Sequence, residues 1–160
     1  MRRYNLHDAE LQFDDDPPDG YRDGYLRIGR ARIGARIGAT MLGASVYELP
    51  TGQSVCPYHY EYGNEEWLLV VAGNPTLRHP EGEDELRPGD VVCFPAGPAG
   101  AHKVTNDGNE NARVVIFSTM NDPFVAVYPD SDKIGVWPGD DRDNLLVRRE
   151  SGVDYWDREL

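Results

Sequence analysis

The chain has 160 residues and a mass of 17.9 kDa, which fits one domain. Its net charge of −12 argues against a binder of nucleic acids or anionic membranes, because phosphate contacts need clustered lysines and arginines. Hydrophobic residues make up 39% of the chain, enough for a core, but no apolar run is long enough to cross a bilayer. The N-terminus is polar and acidic where a signal peptide requires an apolar stretch, so we expect a cytoplasmic protein.

Residues 1–24 are predicted to form an extended N-terminal arm. The segment 14–20 contains aspartates, prolines and a glycine with no apolar period, so such an arm is ordered only where it packs on something. An Arg-Ile-Gly triplet then occurs at 27–29, 32–34 and 36–38. Because glycine at this frequency disfavours a long helix, we expect a loop or an irregular strand. Its arginines can pair with acidic groups or bind an anionic ligand.

Short β-strands separated by turns are predicted from residue 44 onward. Runs of this kind, bounded by Gly, Pro, Asn and Asp, are typical of an all-β sandwich or barrel. We predict strands at 45–49, 67–71, 76–78, 85–87, 91–94, 102–105 and 112–119. The domain organisation that follows is a barrel over residues 25–128 and an irregular C-terminal tail over 129–160, which packs on the barrel or on a partner subunit.

Two histidines and two glutamates lie on the predicted strands in a pattern that suits a metal ion. His59 and Glu61 are two positions apart, so they point to the same side of a strand. A turn at 62–64 allows the next strand to pair antiparallel and to bring Glu66 opposite them, and His102 opens another strand. Imidazoles and carboxylates on one interior face favour a divalent cation. Without one, carboxylates packed together raise each other's pKa.

The spacing of these residues resembles the two motifs of the cupin superfamily, and specifically its small single-domain members. The residues that match the first motif are Gly52, His59, Glu61, Glu66 and Gly73. Those that match the second motif are Gly89, Pro95, Gly97, His102 and Asn106. The chain has one extra residue after Gly52, two extra residues before His102, and Glu61 where the family has histidine. The resemblance implies a jelly-roll β-barrel with a metal site inside it.

The resemblance assigns metal-ligand roles to His59, Glu66 and His102, whereas Glu61 inherits only the position of a ligand. With Glu61 bound, the anionic set of two His and two Glu favours Mn²⁺, Fe²⁺ or Mg²⁺ more than a thiolate-type zinc site would. With Glu61 unbound, two His and one carboxylate form the facial triad of non-heme iron oxygenases, and Glu61 can act catalytically as a general base. The predicted cofactor is a divalent metal ion, with Mn, Fe, Zn and Ni as candidates.

The function that the resemblance favours is a metal-binding cupin acting on, or sensing, a small polar metabolite such as a sugar derivative or an organic acid. As an enzyme it would be a metal-dependent isomerase or oxygenase, with Glu61 or Glu66 moving a proton. The alternative is a non-catalytic binding or storage protein, since one fold hosts many functions. Many cupins dimerise, and the tail contains Trp137 and Trp156, so we expect a homodimer in which the arm or the tail crosses the partner.

Several other residues are assigned to the fold or the surface. Cys56 and Cys93 do not form a C-x-x-C pair and are expected to be buried free thiols. Glu65 and His79 are expected to be exposed. The residues whose parity places them on the outer face or at a subunit contact are Tyr58, Tyr60 and Trp67. The candidates for pocket walls are Tyr47, Val104 and Phe117.

Overall fold

Antiparallel β-strands dominate the computed structural model, which describes residues 2–13, 24–25 and 27–159. The strands are β1 (Gln12–Phe13), β2 (Gly29–Arg32), β3 (Leu42–Leu49), β4 (Tyr60–Tyr62), β5 (Glu66–Ala72), β6 (Thr76–His79), β7 (Gly82–Glu85), β8 (Val91–Phe94), β9 (Lys103–Thr105), β10 (Ala112–Thr119), β11 (Phe124–Tyr128), β12 (Lys133–Trp137) and β13 (Leu145–Arg148). The acidic segment at 14–20 lies outside the described residues.

Helical structure among these residues is limited to short turns. One α-helical turn, α1 (Gly34–Ile37), joins β2 to β3. The 3-10 turns lie at Leu6–Asp8, Pro98–Gly100, Pro129–Ser131, Asp141–Asp143 and Arg149–Ser151. No helix in the described part of the chain has the length and apolar character that a membrane span requires.

The strands form three sheets within the described residues. Their orders are β1-β2-β3-β10-β5-β8, β13-β12-β11-β4 and β7-β6-β9. The eight-residue strands β3 and β10 pair along their whole length in the middle of the largest sheet. The predicted all-β jelly-roll barrel is therefore confirmed, with strands distant in the sequence lying side by side.

The barrel interior is filled by alternate side chains of the largest sheet. On β5, Leu68 and Val70 are buried, whereas Trp67, one position before Leu68, is 49% exposed on the outer face. Leu77 and Val104 of the three-stranded sheet meet the inner side chains in one cluster. Burying each large aliphatic side chain contributes about 1.5–3 kcal/mol, so this cluster holds the two sheets together. The prediction that Trp67 faces outward is confirmed.

The N-terminal segment packs on the outer face of the same sheet. Ala31, Val46 and Val115 form a second buried cluster on that face. The N-terminal side chains that pack against this cluster are Tyr4, Leu6, Ala9 and Leu11. This packing explains why the described part of the arm is ordered, although its sequence has no periodic pattern.

The C-terminal tail is more regular than its composition predicts. Strand β12 pairs with β11, and β13 pairs with β12, so the four-stranded sheet continues beyond residue 128. Apolar side chains at Ile134, Val136 and Val147 are half-buried along these strands. This short alternation of apolar and polar residues is difficult to recognise in the sequence, because many Asp, Gly and Arg residues surround it.

Two predicted strand relationships are wrong. Strand β4 does not pair with β5, because β4 lies beside β11 in the four-stranded sheet whereas β5 lies between β10 and β8. The predicted strand at 85–87 is instead β7 at Gly82–Glu85, because His79 pairs directly with Gly82 across a two-residue turn. Leu86 then leaves the hairpin and is buried in the core.

Candidate metal centre

Strand β5 places Glu66 inside the barrel. Glu66 is two residues before Leu68 and therefore shares its inward face. Only 16% of the Glu66 side chain is exposed. The inward direction of the Glu66 side chain thus follows from the alternation of inward and outward residues along one strand, as the sequence predicted.

His59 and His102 are joined by the backbone outside the regular strands. The His59 N–H donates to the His102 carbonyl at 3.1 Å, and the His102 N–H donates to the His59 carbonyl at 2.8 Å. This isolated antiparallel bridge brings the two imidazole centroids to 4.7 Å. The two motifs, which are 43 positions apart at these histidines, therefore meet through a backbone contact.

Backbone carbonyls orient both imidazole rings. His59 Nδ1 lies 3.0 Å from the Pro57 carbonyl and His102 Nδ1 lies 2.9 Å from the Gly100 carbonyl. Because a carbonyl only accepts, each Nδ1 carries the proton and each Nε2 is left with a free electron pair. Such an outer hydrogen bond fixes the tautomer and the direction of a histidine that binds a metal.

The two Nε2 atoms converge on one carboxylate oxygen. Glu66 Oε2 lies 3.9 Å from His59 Nε2 and 3.6 Å from His102 Nε2. His102 Nε2 is fully buried without a hydrogen-bond partner among the described residues. A buried polar atom in this state is costly unless something binds it, so its free electron pair indicates a place for a ligand.

Glu61 joins the same group from β4. One ligand atom each from His59, Glu61 and Glu66 lies within 4.8 Å of the others. Asn64 is buried and bonds the Glu61 side chain, while its own oxygen accepts from the Asn121 N–H at 3.0 Å. Glu61 is thus linked to His59 and Glu66, and His102 to Glu66, although β4 and β5 belong to different sheets.

Burial controls the pKa values of these groups. Burial, with the charge of Glu61 as the smaller cause, raises the pKa of Glu66 to about 8. Burial also raises the pKa of Glu61, although the hydrogen bond from Asn64 opposes this. Burial and the nearby His59 lower the pKa of His102 to about 3, and burial lowers the pKa of His59. Both imidazoles are therefore neutral near pH 7, as metal ligands must be.

The spacing of Glu66 from the two imidazoles fits ligands of a single divalent cation. Atoms bound to one first-row metal at about 2.0–2.2 Å lie about 3–3.6 Å apart, and the distances of 3.6 and 3.9 Å between Glu66 and the two imidazoles are close to that range. A cation would also offset the repulsion between the two carboxylates. The residues thus match the composition of carboxylate–imidazole sites for Mn, Fe or similar ions.

Aromatic side chains that the sequence did not single out shield the imidazoles. Phe94 stacks on His102 with ring centroids 3.7 Å apart, and Tyr128 stacks on His59 at 5.8 Å. Burial raises the pKa of Tyr128 to about 12, so its hydroxyl keeps its proton. The sequence could not identify Phe94 and Tyr128 as neighbours of the histidines. Strand parity predicts the face on which an aromatic side chain lies, but not which side chain from another strand it contacts.

Cys56, which the sequence predicts to be a buried free thiol, lies beside the candidate centre. It is half-buried, and its Sγ lies 3.5 Å from His59 Nδ1. Cys56, His59 and His102 also form a group with metal-ligand spacing. However, His59 Nδ1 already bonds Pro57, and burial raises the pKa of the Cys56 thiol, so the carboxylate side of the imidazoles is the better ligand set. The sequence position of Cys56, three residues before His59, could have indicated that it lies near the candidate centre.

A cavity of about 450 Å³ opens onto Glu66. Of the predicted pocket walls, Tyr47 lines this cavity, whereas Val104 is buried in the core. Phe117 is a wrong prediction, because it is 38% exposed on the outer face of β10. A volume of this size is typical of sites for small molecules.

The remaining surface predictions are partly confirmed. Glu65 is exposed and accepts a hydrogen bond from Trp67 Nε1 at 3.1 Å. Cys93 is exposed rather than buried, because it alternates with Phe94 and faces outward. His79 is half-buried at the end of β6, where its Nε2 lies 3.2 Å from Asp84. Neither Cys93 nor His79 reaches the metal centre.

Comparisons with known proteins agree with this fold. Residues 45–118 match the family profile Cupin_2, described as a cupin domain. A candidate sugar phosphate isomerase from Acidithiobacillus ferrooxidans is 25% identical, with 80% of each chain covered and a TM-score of 0.73. A sugar phosphate isomerase of the cupin superfamily from Silicibacter pomeroyi is 23% identical, with 98% of each chain covered and a TM-score of 0.80. No curated protein matches the sequence.

The polyketide cyclase RemF from Streptomyces resistomycificus shares the fold at lower similarity. It is 18% identical, with 76% of this chain and 80% of that chain covered and a TM-score of 0.59. Proteins described by different reactions therefore share this barrel, so the site itself has to indicate the chemistry.

Proposed function

This chain belongs to the cupin superfamily, and from that premise we propose that it binds a divalent metal ion and acts on a small polar metabolite inside its barrel. The observation that carries the proposal is the convergence of His59 Nε2 and His102 Nε2 on Glu66 Oε2. The reaction we favour is an isomerisation that moves a proton on a sugar derivative or an organic acid.

The metal would be held by His59, Glu66 and His102, with Glu61 as the fourth ligand. When bound, a divalent ion supplies Lewis acidity that polarises substrate oxygens. Mn and Fe suit this carboxylate-rich set best, and Zn and Ni are the other candidates. The unpartnered Nε2 of His102 and the crowded carboxyl groups support this assignment.

Proton transfer would fall to Glu61 in the alternative in which that carboxyl group is not bound to the metal. An effective acid or base has a pKa near the working pH, and burial moves the pKa of Glu61 upward in that direction. The hydrogen bond from Asn64 orients Glu61, while Phe94 and Tyr128 keep water from the imidazole faces. These residues provide a preorganised, largely dry position for a proton donor and acceptor.

A sugar derivative is the substrate class that the comparison with Acidithiobacillus ferrooxidans supports, since that protein is described as a candidate sugar phosphate isomerase. The cavity beside Glu66 has a size suited to a small metabolite. Its walls combine the Tyr47 ring with the hydroxyl groups of Ser45 and Ser118. Such a wall can contact both the carbon skeleton and the hydroxyls of a sugar.

An iron-dependent oxygenase is the second candidate function. The specific observation in its favour is that only Glu66 is within 4.0 Å of both imidazole Nε2 atoms, which leaves a two-His, one-carboxylate set among the described residues. Iron in the purified protein, with O₂ consumption on addition of substrate, would favour this function. A redox-silent metal with no turnover of any candidate substrate would instead indicate a non-catalytic binding protein.

Metal analysis of the purified protein tests the proposal. We expect about one divalent ion per chain, and we expect His59→Ala or His102→Ala to abolish it, because each removes a neutral imidazole ligand. The near-isosteric His102→Gln serves if His102→Ala does not fold, and circular dichroism checks the fold of each variant. His7→Ala is the matched control, since His7 is exposed and outside the barrel site. Stoichiometric metal in both ligand variants would refute the site.

We also propose that the protein forms a homodimer. The chain leaves large apolar side chains exposed, on the outer face of the main sheet and in the tail, where Tyr155 and Trp156 are 83% and 71% exposed. Exposed apolar surface of this kind marks an interaction site in soluble proteins. A second copy of the chain would cover it.

A further inference from the structure

Strand β2 carries two arginines to the mouth of the cavity that contains Glu66. Gly29 and Ala31 are buried, whereas Arg30 and Arg32 are exposed and line the cavity. The alternation of the strand therefore places both guanidinium groups on the inner side of the sheet, two residues apart.

The pairing register connects these arginines to the metal centre. Arg32 is paired with Ser45 on β3, and Arg30 with Tyr47. Residues paired directly across antiparallel strands lie on the same face. Two residues further along β3, Gly43 is paired with Ser118, which is paired with Glu66 on β5. The arginines and Glu66 thus line one face and one cavity, separated by three strand spacings of about 4.8 Å each.

Neither arginine is neutralised by the rest of the described chain. No carboxylate among the described residues lies within 4.0 Å of Arg30 or Arg32. By contrast, Arg78 pairs with Asp130, and Arg113 pairs with Glu48. In a chain with a net charge of −12, two neighbouring arginines on one cavity wall, without an ion pair among the described residues, form a local positive site that suits an anionic ligand.

We propose that Arg30 and Arg32 bind the phosphate group of the substrate whose other end lies at the metal centre. This inference rests on the proposed function, which it deepens by naming the ligand as a small phosphate monoester. Each guanidinium offers a planar fork of donors that matches two oxygens of an oxyanion. A carboxylate is satisfied by one such fork, whereas the three oxygens and nearly double charge of a phosphate match two.

Titration calorimetry with inorganic phosphate tests the inference on the full chain. The measurement is made at constant ionic strength, on the protein as purified and again after removal of divalent metals. We expect saturable phosphate binding in both forms. The double variant Arg30→Gln/Arg32→Gln should weaken it at least tenfold, because both donor forks are lost. Acetate, as the carboxylate probe, should bind at least tenfold more weakly than phosphate.

A matched control separates specific binding from the effect of net charge. Arg27→Gln/Arg87→Gln removes the same charge at two exposed arginines that do not line the cavity, and it should change phosphate affinity less than twofold. The inference is overturned if the wild type does not bind phosphate, if the control loses it equally, or if acetate binds as tightly. Metal content is measured on the same samples. A protein that holds metal but not phosphate refutes this inference alone, whereas phosphate binding without any metal refutes only the proposed metal site.

Discussion

At the scale of single residues, the two imidazoles are oriented in the same way. Each histidine donates from Nδ1 to the carbonyl of the residue two positions before it, which is Pro57 for His59 and Gly100 for His102. The direction of each Nε2 therefore depends on the local loop and not on a distant side chain. This arrangement keeps both free electron pairs aimed at Glu66 whether or not a cation is bound.

Glu61 stands where the family pattern has histidine, and substitutions of Glu61 test whether it is a metal ligand. If Glu61 is a ligand, as we propose, Glu61→Gln lowers metal affinity at least tenfold because a neutral amide replaces an anionic oxygen. Glu61→His should keep the metal and shift the preference toward Zn²⁺ or Cu²⁺. Metal titrations of the purified variants measure both effects.

Glu65→Gln is the matched control for that experiment, because Glu65 is an exposed carboxylate on the neighbouring turn. Unchanged metal affinity in Glu61→Gln would contradict the ligand role. If such a variant also lost about 10²–10⁴-fold in turnover, Glu61 would instead be a general base.

The buried carboxyl of Glu66 predicts an unusual pH dependence for the metal-free protein. Its pKa is raised from 4.5 to about 8, whereas that of His102 is lowered from 6.5 to about 3. Near pH 6.5 the unfolded forms of His59 and His102 still bind protons and partly offset the effect of Glu66, but well above pH 6.5 both histidines are neutral in the folded and unfolded states and Glu66 dominates. The folded state then binds the extra proton, and the stability falls as the pH rises to about 8, by up to about 2 kcal/mol.

Thermal unfolding at pH 6.5, 7.2 and 8 in EDTA measures this effect. Added Mn²⁺ should reverse the trend, because metal binding requires the deprotonated carboxylate and stabilises the folded state. Glu66→Gln should flatten the profile between about pH 6.5 and 8. A metal-free protein whose stability rises across that interval would contradict the assignment.

At the scale of elements, the loop between β8 and β9 connects the two halves of the site. The Gly97 N–H donates to the Glu61 carbonyl at 2.7 Å, and Gly100 supplies the carbonyl that orients His102. Gly97 has a φ of +91°, which favours glycine. One short loop therefore positions a strand that bears Glu61 and the imidazole of His102 together.

Gly100→Ala is predicted to damage both stability and metal binding. A Cβ at Gly100 would overlap the Pro95 carbonyl oxygen, so the loop has to open. We expect a loss of about 1–3 kcal/mol in the free energy of unfolding, typical of overpacking, and weaker metal binding because the carbonyl moves away from His102. Denaturant unfolding and metal titration measure the two effects.

Gly24→Ala is the control, because its new Cβ would meet no atom of the described residues closer than 3.9 Å. It should leave metal affinity unchanged. Wild-type metal affinity in a folded Gly100→Ala protein would show that the loop does not position His102.

At the scale of the whole molecule, the outer face of the main sheet is unevenly covered. The N-terminal segment covers the part around Val46 and Val115. The adjoining part exposes an apolar surface, here called the outer patch, formed by Leu42, Trp67, Val91 and Phe117. Apolar side chains of this size on a sheet face are typical of subunit contacts.

We predict that the homodimer buries the outer patch. Light scattering at tens of micromolar concentration should give twice the chain mass of 17.9 kDa, and Trp67→Glu/Phe117→Glu should give the monomer because it places charges in an apolar contact. Val153→Glu is the matched control in the tail, where Val153 is 75% exposed. Deleting residues 152–160 tests whether the tail crosses the partner. A monomeric wild type would reject the dimer.

The sequence by itself determined the barrel and singled out the residues of the candidate metal centre. Strand parity is a local property, so it placed Glu66 inside and Trp67 outside, and motif spacing identified His59 and His102. The tertiary structure decided how they meet. Strand β4 pairs with β11 and β5 pairs with β10, so the two strands lie in different sheets, and the buried Asn64 between them in the chain accepts from the Asn121 N–H.

The tertiary structure also decided which groups share the cavity with these ligands. The sequence left open whether the arginines of β2 pair with acidic groups or bind a ligand, and it placed Phe117 in the pocket and Cys93 in the core. The register of β3, β10 and β5 put Arg30 and Arg32 on the face of Glu66 and turned Phe117 outward. Which strand lies beside which depends on contacts between residues far apart in the chain, and local parity and spacing do not contain that information.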